Sequence, residues 1–167
     1  MNQLVPHPKA IEDIPGGGPT YDGFVAWVTA VMGIPTGNMP DDATLQVAYN
    51  EALNLAYLQL ACIPSVSTTM SIYAMAVYNL GGAILVEIAQ DAQNQNFWAN
   101  LRNQFQINSM LPGFITQAHD QGTGEGMFII KQLEGMTLFG LQLMKTPWGR
   151  MYLMIAGQWG TLWGLTI

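Results

Sequence analysis

His119-Asp120, with Ser109 ten residues earlier, is the only place where a histidine, an acid and a serine lie close together. Those residue types could carry out acyl transfer, with imidazole taking the proton of the attacking hydroxyl. No serine in the chain stands in the strained Gly-x-Ser-x-Gly turn that exposes such a nucleophile. A metal centre requires three or four ligands at workable spacing. His7, His119, Cys62 and the scattered acids do not provide one. Gly122-Thr123-Gly124-Glu125-Gly126 has the glycine content of a phosphate-binding loop. It lacks the Gly-Lys-Ser/Thr ending, and Glu125 would repel a phosphate. Of the carboxylate pairs, Glu12-Asp13 lies in a proline-rich stretch and Asp41-Asp42 suits a helix start. No catalytic set stands out, and the expectation is a protein that is not an enzyme and carries no metal and no cofactor.

Composition narrows the classes further. Charged residues make up 10% of the 167, against about 25% in an ordinary globular domain. Ten Asn and thirteen Gln supply much of the polarity instead. A surface so poor in charge is weakly solvated, and large apolar patches usually mark protein contacts. Association with other chains is therefore expected. The net charge is −6, and the five cations, Lys9, Arg102, Lys131, Lys145 and Arg150, form no cluster. Specific nucleic-acid binding through phosphates is not expected. Cys62 is the only cysteine, so an internal disulfide is impossible. It reads as a small buried hydrophobe. The first twenty residues show no basic segment followed by an apolar run, so no secretory signal is expected.

The elements follow from spacing and punctuation. Residues 1–19 hold four of the nine prolines and Gly16-Gly17-Gly18, and read as an extended arm. Residues 20–108 read as a helical core. Thr20 or Asp22 caps a first helix over 21–33, with Phe24, Trp27, Val28 and Val31 on one face. Gly33 and Pro35 stop it. Asp41-Asp42 opens a second helix over 42–62, with Gln46, Asn50 and Asn54 as a polar stripe and Pro64 at its end. Ser71 is among the residues offered to cap a third helix over 70–91. That helix is apolar on nearly all sides, which implies burial all round. Gly81-Gly82 in its middle costs about 1 kcal/mol per glycine relative to alanine, so a close helix crossing or a kink is expected there. A fourth helical segment, 95–107, puts Phe97, Trp98, Leu101 and Phe105 on one face and Arg102 on another. Residues 109–167 read as loops and short strands, with a turn at Pro147-Trp148-Gly149. That region is either part of the same domain or an interface. The fold class expected is mainly α, a four-helix bundle-like core with an N-terminal arm and a C-terminal region of loops and short strands.

The stretch from Ala52 to Val86 contains no charge. It is long enough for a membrane-spanning helix of about 20 residues, and a small holin-like phage membrane protein is the alternative reading. Pro64, Asn54, Gln59 and Asn79 interrupt it, and no basic flank sets an orientation. A buried helix pair in an oligomer is preferred.

Tyr49–Ser65, YNEALNLAYLQLACIPS, followed by Ile72–Glu87, IYAMAVYNLGGAILVE, resembles the helical hairpin of head–tail connector (adaptor) proteins of tailed bacteriophages. The likeness covers helix order and texture over residues 21–107. It implies a virion structural subunit at the head–tail junction, assembled in the host cytoplasm. It also implies a homo-oligomeric ring of about twelve copies, with the portal protein and a tail component as neighbours, and no catalytic residues. The C-terminal region is longer than a minimal adaptor bundle. Three of the five tryptophans lie between residues 146 and 164. Trp148, Arg150, Tyr152, Trp159 and Trp163 have the composition of an interface hot spot. The other possibility is that they fold back onto their own helices.

Overall fold

In a computed structural model of the chain, residues 17–56, 70–109, 114–117, 126–128 and 137–158 are described. They are mainly helical. Helix α1 spans Tyr21–Ala30, α2 Asp42–Leu55, α3 Ile72–Ile88, α4 Phe97–Gln104, α5 Leu138–Leu143 and α6 Pro147–Gln158. A short antiparallel pair, β1 (Phe114–Gln117) and β2 (Gly126–Phe128), sets Phe114 opposite Phe128.

Helix α3 is the axis of the fold. Twelve of its seventeen residues are buried, as its all-round apolar sequence requires. Ser71 starts it, its hydroxyl accepting from the Ala74 N–H at 3.0 Å. α2 lies against one side of α3 with Leu45, Ala48, Tyr49 and Ala52 buried. α6 lies against α3 as well, with Tyr152, Ile155 and Ala156 buried. The buried Asn79 amide donates to the Met75 carbonyl one turn back, so it adds no unsatisfied donor to the core.

The glycine pair marks a close crossing. A Cβ on Gly81 would stand 2.8 Å from the Phe24 ring, and one on Gly82 would stand 2.9 Å from the Trp27 ring. Two aromatics of α1 thus lie where only the α3 backbone leaves room. α1 itself begins with the Thr20 hydroxyl accepting from the Gly23 N–H at 3.1 Å. It ends at Ala30, three residues before the expected Gly33, which takes φ +68° in the following loop.

Polar groups fix the remaining helix ends. Asp41 is the N-cap of α2; its carboxylate is bound by the Thr44 hydroxyl rather than by a backbone amide. Asp42, in the first turn, accepts from Tyr21 and from Gln46. Asp91 reaches across a loop and accepts from the N–H groups of Trp98 (2.7 Å) and Ala99 (2.9 Å), opening α4. Arg102 on α4 donates to the Val86 and Ala89 carbonyls at the end of α3. A cation on the orphan carbonyls of a helix C-terminus also opposes the helix dipole favourably. Trp98, 1% exposed, donates its indole N–H to the Asn38 carbonyl of the turn between α1 and α2.

Two expectations are corrected. The second helix was expected to run to residue 62, but Ala56 is extended (ψ 136°) and α2 stops at Leu55. Residues 137–158, expected as strands and a turn, form α5 and α6. Pro147-Trp148-Gly149 is the first turn of a helix rather than a reverse turn. Proline at the first helical position loses no hydrogen bond and has its φ already set. The Thr146 hydroxyl, buried just before it, accepts from the Gly149 N–H at 2.9 Å. Gly149 also admits the preceding helix, because a Cβ there would meet the Leu143 carbonyl oxygen at 2.0 Å. The helical core therefore extends past residue 108 and takes in α6.

Candidate functional site

The residues considered for chemistry do not converge. His119, Asp120, Cys62, the pair Glu12-Asp13 and residues 122–125 lie outside the described residues. Ser109 is described and half-buried; its carbonyl accepts from the Lys145 ammonium. Asp41 and Asp42 have helix-start roles. Among the described residues no three of His, Cys, Asp and Glu come together as a metal site. No helix among them is long and apolar enough to cross a membrane.

The aromatic C-terminal set is divided by the fold. Tyr152 is 1% exposed and closes the chain's own core, leaving no surface for a partner. Trp148 is half-buried and meets Phe105 edge-on at 5.8 Å and 85°. The two rings join α6 to the end of α4, in the geometry aromatic quadrupoles favour. Arg150 is exposed, and its guanidinium donates to the Met144 carbonyl at 3.0 Å, tying α6 to the end of α5. Trp159 and Trp163 lie outside the described residues.

A surface feature that the sequence reading missed lies at α5. Ile107, Leu138, Phe139 and Leu141 line an open groove of about 450 Å³ with Ser109, Gln142 and Lys145. Thr137 positions it, capping α5 by accepting from the Gly140 N–H at 3.1 Å. The Lys145 ammonium donates to the Ile107 carbonyl at 3.1 Å and to that of Ser109, and the Gln142 amide donates to Ile107 as well. These bonds join the end of α5 to the turn after α4. Nearby, desolvation pushes the Glu87 carboxyl above its ordinary value, against the lowering effect of a Gln142 hydrogen bond and the Lys145 charge. Leu138 is 78% exposed and Phe139 46%; on α6, Met151 and Met154 also face outward. The local sequence Thr137-Leu138-Phe139-Gly140 has a capping residue followed by two large apolar side chains, which is the signal a closer reading could have used.

The surface at α5 and α6 offers outward apolar side chains and a cation already engaged by backbone carbonyls. Compared with models of known protein families, with curated proteins and with solved structures, the chain matches none.

Proposed function

We propose that the chain is a structural subunit that assembles with copies of itself, as a head–tail connector (adaptor) of a tailed-phage virion placed between portal and tail. The observation that carries the reading is the exposure of Leu138, Phe139, Met151 and Met154 on α5 and α6 of a chain with only 10% charged residues. Apolar side chains presented on so weakly charged a surface are stabilised when another chain covers them. The proposed contact residues are Arg150, Trp159 and Trp163, together with the exposed side chains of α5 and α6. Trp148 and Tyr152 support that surface from beneath. The subunit works by binding, without catalysis or a cofactor.

The experiment is size-exclusion chromatography with light scattering on detergent-free protein, followed by negative-stain imaging of the largest species. The expected result is a closed oligomer of uniform size with a central opening. A monomer that persists at high protein concentration overturns the assembly reading. Recovery only from detergent-extracted membranes overturns it in favour of the membrane alternative.

A further inference from the structure

Helix α1 lies between two glycines in the left-handed region, Gly17 at φ +80° and Gly33 at φ +68°. Both positions take the backbone conformation that glycine adopts at least steric cost. Between these points three sets of contacts hold α1 down, one of them the Tyr21 hydroxyl on the Asp42 carboxylate of α2. The Tyr78 hydroxyl accepts from the Thr20 N–H at 3.0 Å and donates to the Thr20 carbonyl at 3.2 Å. The Tyr49 hydroxyl donates to the Pro19 carbonyl at 2.9 Å. Two helices thereby grip the two residues that lead into α1. Further along, Phe24 and Trp27 lie over Gly81 and Gly82. The packing of α6 on α3, through Tyr152, Ile155 and Ala156, does not pass through α1.

We propose that residues 18–32 form a hinged lid that opens as one unit about Gly33, with Gly17 as a second pivot, while α2, α3 and α6 remain packed. The Tyr78–Thr20 hydrogen bonds are its latch. Local openings of this kind involve contiguous elements whose contacts can be lost together without unfolding the rest. Opening uncovers the faces of Phe24 and Trp27 together with the Gly81–Gly82 seat, an apolar surface hidden in the closed chain. The lid is independent of the function proposed above.

Amide hydrogen exchange on the full chain tests it, with Thr20 as a direct reporter because its N–H is in the latch. The α1 amides and Thr20 are expected to exchange as one group, at least about tenfold faster than the interior amides of α3. Tyr78→Phe should speed that group about tenfold, the effect of losing hydrogen bonds near the upper end of their usual worth. Ile155→Val loosens the α3–α6 packing, which is intact in both lid states. It should therefore speed α3 and α6 amides while leaving the α1 group within about twofold of its original rate. Both substitutions are conservative, and circular dichroism confirms folding before exchange is measured. A common rate for α1 and α3 overturns the lid. So does an α1 group that Ile155→Val accelerates by the same factor as α3. An α1 group indifferent to Tyr78→Phe overturns the latch.

Discussion

Replacing Gly81 by alanine sets two opposing effects of known size against each other. In an exposed helix the change stabilises by about 1 kcal/mol, because glycine has more backbone freedom to lose. Here the new methyl would stand 2.8 Å from one carbon of the Phe24 ring and 3.1 Å from the next. Phe24 is fully buried, with ring centroids of Tyr49, Tyr78 and Trp27 at 5.8, 6.0 and 6.4 Å, so its ring cannot retreat. Overpacking of a tight core costs about 1–3 kcal/mol, and a contact this short belongs in the upper half of that range. The net expectation is a loss of about 1–2 kcal/mol, which lowers Tm by about 2–8 °C in a chain of this length. Urea unfolding followed by circular dichroism gives the number. The cycle with Phe24→Leu isolates the cause. Without the ring, the clash is removed and the propensity gain is left, so Gly81→Ala should become stabilising by up to about 1 kcal/mol. If Gly81→Ala raises stability in the otherwise native chain, or has the same sign and size in both backgrounds, the close-crossing reasoning is refuted.

Thr146→Ala removes a buried N-cap from α6 and should cost about 1–2 kcal/mol in urea unfolding, with Thr146→Ser retaining most of it. Arg102→Met keeps the stem but leaves the Val86 and Ala89 carbonyls without their cationic donor; a loss of about 1.5–3 kcal/mol is expected by the same measurement. Desolvation by neighbouring groups raises the carboxyl of the exposed Glu87, so the folded chain holds that proton more tightly than the unfolded chain does. Its contribution is therefore fully present below the ordinary carboxyl value of 4.5 and is lost as pH rises through the raised folded value. Glu87→Gln should remove that part of the pH dependence, read as a flatter curve of urea midpoint against pH. Trp159→Ala with Trp163→Ala should prevent assembly in light scattering while the monomer's Tm is unchanged; a lowered monomer Tm would instead place those rings in the chain's own core.

Local signals in the sequence carried much of the helical reading. Thr20 and Ser71 accept the amide bonds expected of N-caps, and Phe24, Trp27 and Val28 fall on one face because a 3.6-residue repeat puts them there. Val31, expected on the same face, lies past the end of α1 and is exposed. The third helix, uncharged from Ile72 to Val86, could only be satisfied by burial, and Gly81-Gly82 at its centre implied a close helix crossing or a kink. These features depend on a residue and its near neighbours, so they can be read before any tertiary contact is known. The tertiary structure decided the rest. Pro147-Trp148-Gly149 suits either a reverse turn or a helix start; the buried Thr146 hydroxyl and the Leu143 carbonyl against Gly149 select the helix. Tyr152 and Trp148 have the composition of an interface, but composition does not say whose surface an aromatic ring will cover. α6 turns Tyr152 onto α3, and Phe105 arrives from α4 to meet Trp148. The groove at α5 is equally non-local, since Ile107 and Leu138 are thirty-one positions apart in the chain and meet only after α4 and α5 have packed. Local propensity and periodicity act over a few residues. The choice between covering one's own core and facing outward is made by helices that the chain brings together from far apart, and that choice is where the sequence alone fell short.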